Sequence, residues 1–302
     1  MRLAVVVIVG ALGVIGSLLL GAGTASAPAT VPPATPLAAA PACVPMTPGT
    51  HRLPSIDGRI PVVLHIGRNA RPGGPLVLGL PGAGQTARDF AAYTGYSKLA
   101  DRRGFSVAYP TATGSRPFWN MSGAVPGKPD DVAYLRKVIP AAVRAACANP
   151  ARVGVTGVSN GGGMAARMAC DAADLIAAAA PVAGGYKSLP SCSPSRPVAI
   201  LEIHGAADQV VPYRGDRTGA GSVPAFLSQW RRLDRCRGAA RRLKPHSNVV
   251  ELRWLHCAGG TVVQHDRITD ADHGWPGEND IEGARAFAST HRTWAFLRAF
   301  VR

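Results

Sequence analysis

From residue 59 onward, short apolar runs alternate with amphipathic stretches. Arg59 to His65, Pro75 to Leu80, Phe105 to Tyr109, Val153 to Thr156, Ile176 to Val182 and Val198 to Ile203 are strand-length and mostly apolar, the pattern of strands buried on both faces. Helical patterns lie between them. Thr86 to Arg103 predicts one helix with Phe90, Tyr93 and Leu99 on a shared face. Asp130 to Ala148 opens with acidic residues, which suit a helix N-terminus. Asn160 to Cys170 is a small-residue helix, and Val223 to Leu233 is another. Val249 to His256 and Thr261 to His265 predict two further strands, and Ile281 to Val301 a closing helix with Phe287, Trp294, Leu297 and Val301 at core spacing. Strands alternating with helices predict one α/β domain, a mostly parallel central sheet with helices on both faces. There are no internal repeats.

The N-terminus reads differently. Arg2 precedes an uncharged apolar stretch, Leu3 to Leu20, and small residues follow to Ala27. That is the layout of a secretory signal peptide, assigned here to residues 1–27, with Ala25-Ser26-Ala27 as the cleavage pattern. Retention as an uncleaved anchor is the alternative and the one route to membrane contact. Residues 28–42, rich in Pro and Ala, have too few large apolar side chains for a core and read as a linker. The folded domain is expected over residues 43–302, enough chain for one large core.

Six cysteines follow the signal. An even count in an exported chain favours disulfides. Cys236 and Cys257 flank a plausible hairpin and form the preferred pair; Cys170 with Cys192 is second, which leaves Cys43 with Cys147. No cysteine spacing suits zinc, so a metal site is not expected; no cofactor is expected either. The formal charge is +15, or +14 without Arg2, and the basic residues are scattered apart from Arg231-Arg232 and Arg241-Arg242. This reads as a solvated basic surface, with attraction to an acidic cell envelope, an anionic polymer or a carboxylate-bearing substrate as the sharper alternative. Export and the lack of a basic-aromatic module argue against nucleic acid as a partner.

The candidate chemistry begins at Gly157-Val158-Ser159-Asn160-Gly161, where a strand feeds Gly-x-Ser-x-Gly and then a helix. Such a turn holds a serine hydroxyl exposed above a sheet. A hydroxyl needs a base to take its proton, and the base needs an acid to orient it. In chain order after Ser159, Asp208 lies just past a strand end and His273 lies in the loop before the closing helix. Asp266, Asp270 and Asp272 are rivals for the acid but sit too near His273 in sequence to come from a separate strand end. His204, beside a glycine at a strand end, reads as structural. An oxyanion hole requires two backbone amides: Asn160 supplies one, and Ala83, with Gly84 as the alternative, supplies the other from Leu80-Pro81-Gly82-Ala83-Gly84-Gln85. Trp119 and Trp275 are candidate pocket walls, with core packing as the competing reading.

The chain resembles the secreted polyhydroxybutyrate depolymerase / feruloyl esterase family of α/β-hydrolases. The resemblance rests on Gly84-Gln85 with Asp89-Phe90, Ala108-Tyr109-Pro110 with Trp119-Asn120, Asp130-Asp131-Val132, Arg152 through Gly162, Ala180 through Gly184, His204 through Tyr213, and His273-Gly274-Trp275-Pro276-Gly277. It implies an α/β-hydrolase fold and metal-free hydrolysis of carboxylic esters with Ser159, Asp208 and His273 as triad. The short chain between Ser159 and Asp208 leaves no room for a large lid, which suits a bulky or polymeric ester: a feruloylated or acetylated polysaccharide, or a poly(3-hydroxyalkanoate). Alternatives are a serine peptidase or acyltransferase on the same scaffold, and a non-catalytic envelope-binding protein. One departure stands out. Such enzymes usually carry Leu-His-Gly before the oxyanion loop, whereas this chain has Leu80-Pro81-Gly82. The expectation is that catalysis survives with altered loop geometry and substrate preference.

Overall fold

The computed structural model describes residues 43–122, 126–186, 192–216, 221–277 and 287–301. The signal and linker assigned to 1–42 lie outside these residues, as does 281–286 of the closing helix. The described elements, in chain order, are β1 (Gly49–Arg52), β2 (Val63–Ile66), β3 (Leu76–Leu80), α1 (Ala87–Thr94), α2 (Tyr96–Arg103), β4 (Ser106–Tyr109), α3 (Asp131–Ala146), β5 (Val153–Val158), α4 (Asn160–Asp171), β6 (Ala178–Val182), β7 (Ala199–Gly205), α5 (Val223–Leu233), β8 (Arg241–His246), β9 (Val249–Trp254), β10 (Val263–Ile268) and α6 (Ser289–Phe300). The strands form one sheet in the order β1-β2-β4-β3-β5-β6-β7-β10-β9-β8. From β4 to β10 neighbours run parallel, and the outer pairs at each end are antiparallel.

The two-residue period of the strands divides the core into two layers. Leu76, Leu78, Val153 and Val155 face a cluster with Leu135, Val138, Met164, Phe226 and Trp230 from α3, α4 and α5. Val77, Ala180, Leu201 and Ile203 face the other, with Phe90, Tyr96, Leu99, Trp294 and Leu297 from α1, α2 and α6. The fold is therefore the α/β class read from the pattern, with some elements corrected. The single helix expected over 86–103 is two, because Gly95 takes a left-handed conformation (φ 64°) and its amide closes α1 on the Ala91 carbonyl. The first expected strand begins at Val63, not Arg59: Pro61 has no N–H for a sheet, and Ile60 is exposed. Strands β1 and β8 (Arg-Arg-Leu-Lys-Pro-His) carry no apolar face and gave no signal.

Disulfides join Cys43 to Cys147, Cys170 to Cys192 and Cys236 to Cys257. They fit an oxidising compartment. The last clasps the β8–β9 hairpin region to the end of α5, where Asp234 is fully buried. Asp234 accepts from the Val198 amide at 3.2 Å and from Thr261 Oγ1 at 3.3 Å, and burial pushes its carboxyl up to about 7 despite them. A carboxyl whose value is raised on folding favours the protonated form, so its cost to stability appears as pH climbs from about 4 and is complete above about 7. Asp234→Asn is neutral at every pH and is expected to remove that cost, on the order of a few kcal/mol. The Tm advantage of the variant should grow by about 5 °C or more from pH 5 to pH 8; a pH-independent difference would remove this reading.

Candidate active site

Strand β5 ends at Val158, the chain turns through Ser159, and α4 begins at once. Ser159 has φ 57° and ψ −121°, a conformation costing about 1–3 kcal/mol for a side chain with a Cβ. The turn is tight enough that its flanking glycines are obligatory. A Cβ at Gly157 would strike the Gly161 carbonyl, and one at Gly161 would strike the carbonyls of Leu80 and Pro81. The Ser159 amide is anchored to the Val182 carbonyl of β6 at 2.9 Å. The geometry lifts the hydroxyl above the C-terminal edge of the sheet.

Two other strand ends bring partners to that hydroxyl. His273, in the loop after β10, places Nε2 2.9 Å from Ser159 Oγ. Its Nδ1 lies 2.8 Å from Asp208 Oδ2, in the turn after β7. Asp208 is buried, and its Oδ1 accepts the amides of Val210 and Val211 at 2.9 and 2.7 Å. Burial by itself would raise its carboxyl; hydrogen bonding to His204, His273 and Val211 outweighs that and holds it well below the usual carboxylate range. The carboxylate form is therefore the one facing the imidazole. Of the rival acids, Asp272 accepts the amides of Gln209 and His273, joining the two loops; Asp266 pairs with Arg292, and Asp270 accepts from Asn248.

The amides expected to meet an oxyanion are available. Asn160 is the first residue of α4, so its N–H has no carbonyl one turn back within the helix. The Gly84 amide is engaged with the Pro117 carbonyl at 2.7 Å, whereas the Ala83 amide meets no acceptor among the described residues. Trp119 ties these parts together. The Asn160 side chain accepts from the Trp119 amide at 2.7 Å and donates to its carbonyl at 3.0 Å, while the Trp119 indole donates to the Pro81 carbonyl at 2.9 Å. Gln85 Oε1 accepts the Gly82 amide at 2.9 Å. Around Pro81 the loop is thus braced through its backbone.

Both tryptophans expected as pocket walls are placed elsewhere. Trp119 is 1% exposed and Trp275 0%, so neither offers a face to a ligand. Trp275 stands edge-on to Phe90 and Tyr96, and its indole donates to Thr290 Oγ1 at 2.9 Å. Indole size and a single N–H donor suit such core positions as well as a wall.

Sequence reasoning missed the groups behind Asp208. His204 Nδ1 lies 2.9 Å from Glu202 Oε1; its Nε2 lies 2.9 Å from the Val211 carbonyl and 3.2 Å from Asp208 Oδ2. Tyr186 donates to Glu202 Oε1 at 2.9 Å, and His265 Nδ1 lies 2.6 Å from the other Glu202 oxygen. All three of Glu202, His204 and His265 are buried. Burial would lower the His204 value, but bonding to Asp208, Glu202 and the Val211 carbonyl raises it to about 10. Burial would raise Glu202, but bonding to His204 and His265 brings it to about 2. At neutral pH an imidazolium therefore sits between two buried carboxylates, and the one at 3.2 Å, Asp208, also contacts His273. The available signal was Leu201-Glu202-Ile203-His204, a strand that is apolar on one face and ionisable on the other.

Residues 64–188 match the family described as Esterase PHB depolymerase. Feruloyl esterase B of Piromyces equi is 32% identical over 172 residues, which cover 51% of this chain and 31% of that protein. Poly(3-hydroxyalkanoate) depolymerase C of Paucimonas lemoignei is 29% identical over 170 residues, covering 54% of this chain and 40% of that protein. The chain thus spans less than half the length of these curated relatives. Among solved structures, the acetyl xylan esterase from Aspergillus awamori superposes with a TM-score of 0.58 at 16% identity, over 76% of this chain and 93% of that one. The resemblance seen in the sequence motifs holds: residues 64–188 match the Esterase PHB depolymerase family, and the chain adopts the α/β-hydrolase fold.

Proposed function

We propose that this protein is a secreted serine carboxylic-ester hydrolase that works through an acyl-enzyme on a bulky or polymeric ester. The observation that carries the reading is the continuous line from Ser159 Oγ through His273 to Asp208, at 2.9 and 2.8 Å. His273 Nε2 takes the Ser159 proton as Oγ attacks the ester carbonyl. Asp208 holds the imidazole by Nδ1–H and stabilises the imidazolium that forms. The amides of Asn160 and Ala83 donate to the oxyanion of the tetrahedral intermediate. His273 then protonates the departing alcohol, and the acyl group stays on Ser159. Water, losing a proton to His273, attacks the acyl carbonyl, and the acid leaves as Ser159 regains its proton. His204 and Glu202 act at one remove by fixing the charge and position of Asp208.

The substrate class follows from relatives named as feruloyl esterase, acetylxylan esterase and poly(3-hydroxyalkanoate) depolymerase. The apolar segment Leu3 to Leu20 and the three disulfides support export, with residues 43–302 as the catalytic domain. The test is a panel of methyl ferulate, acetylated xylan and short 3-hydroxybutyrate oligomers, with a peptide and an acceptor alcohol as controls. Release of acid from one of the esters, with labelling of Ser159 by a fluorophosphonate, is expected. Turnover of the peptide alone, or net transfer to the alcohol, would assign another reaction, and a Ser159 inert to the probe would remove the enzymatic reading.

A further inference from the structure

The edge of the sheet opposite Ser159 holds a cavity of about 590 Å³ whose lining includes Arg71, Arg102, Arg103, Arg152 and Arg298 and, among the described residues, no carboxylate. These arginines come from the segments that enter β3, β4 and β5 and from the last turn of α6. Ser159 leaves the far end of β5, so the two places are separated by about 20 Å of strand. The nearest acid along the chain, Asp101, is occupied by His65 and Arg68. Arg152 is fixed by donating to the carbonyls of Gly73 and Val301, which makes it a rigid part of the wall. The turn beside it is held by the Gly73 amide on the Cys147 carbonyl and the Gly74 amide on the Arg71 carbonyl. Arg71, Arg102, Arg103 and Arg298 are exposed. Five like charges around one concavity repel one another, and a bound oxyanion would relieve that repulsion.

We propose that this cavity binds a segment of a carboxylate-bearing polysaccharide, a site separate from the one at Ser159. Guanidinium forks match carboxylates in bidentate geometry. The cavity also offers acceptors at the end of α2, where the carbonyls of Arg102 and Arg103, both lining residues, accept no hydrogen bond among the described residues; the Val301 carbonyl at the end of α6 is already taken by Arg152. An acidic sugar chain presents both partners, carboxylates for the forks and hydroxyls for the carbonyls. A polyphosphate has no hydroxyl to offer and leaves the carbonyls unmatched. Such a site would hold the protein on an acidic polymer while the opposite edge stays open.

The test is titration calorimetry of the full chain with oligogalacturonate, polyphosphate of equal charge and neutral xylan oligomers in about 50 mM salt. Oligogalacturonate is expected to bind best and neutral xylan not to bind. Arg102→Ser with Arg103→Ser and Arg298→Ser should weaken oligogalacturonate at least tenfold, the single Arg298→Ser should weaken it less, and turnover of a p-nitrophenyl ester should be unchanged. Arg241→Ser with Arg242→Ser, on exposed β8, is the control for general surface charge. The proposal is overturned if oligogalacturonate does not bind, if polyphosphate binds more tightly, or if the β8 pair weakens binding as much as the cavity variants.

Discussion

Ser159→Ala is expected to lower kcat/KM on a p-nitrophenyl ester by about 10⁴ or more while leaving the fold intact. Among the described residues the side-chain oxygen of Ser159 has one hydrogen-bond partner, His273 Nε2, so its removal breaks no other hydrogen bond there. The positive φ at this position is set by the β5–α4 turn and by its glycines, which alanine leaves in place. What disappears is the one hydroxyl that, among the described residues, hydrogen-bonds His273. Without it no acyl-enzyme can form, and the amides of Asn160 and Ala83 can at most polarise a bound ester for attack by water. Such residual catalysis is why the loss is bounded and not total. Near-equal turnover by the variant, with an unchanged thermal midpoint, would move the chemistry away from this site altogether.

Much of this was legible in the sequence because the elements concerned obey local rules. The apolar runs that became β3 to β7 are buried on both faces, so no partner was needed to recognise them. Ser159, Asp208 and His273 lie beyond the ends of β5, β7 and β10, and a parallel sheet brings those ends to one edge. The edge strands β1 and β8 failed the same test because they are solvent-facing and held by ladder hydrogen bonds, which leave no mark on side-chain polarity. The break at Gly95 depends on one residue's φ, and a glycine inside a helical pattern does not announce it. Trp119 was legible as important but not in its role. A buried indole clamped between Asn160 and Pro81 and one lining a pocket look alike in a sequence, and only the hydrogen bonds to Pro81 and Asn160 separate them.

His204→Gln is expected to disturb stability and catalysis together, with a signature in pH that a packing defect would not give. His204 is fully buried between Glu202 and Asp208. Its value of about 10 lies above the ordinary 6.5, so the charged form favours folding; that contribution is complete below about pH 6.5 and fades as pH rises through 10. Glutamine carries no charge and leaves two buried carboxylates facing each other, a loss of about 3–5 kcal/mol near neutral pH. The parent's unfolding free energy should therefore decline from pH 6.5 toward 10 by a few kcal/mol, and the variant should lack that decline. The same charge acts on the reacting groups. Taking a cation away from Asp208 makes the field at His273 more negative, so its imidazolium is stabilised and a higher pH is needed to free the base. The acid limb of kcat/KM should move upward by about one pH unit, with KM little changed. Destabilisation without movement of that limb would reduce His204 to a structural residue, and movement without destabilisation would mean that Glu202 protonates to compensate.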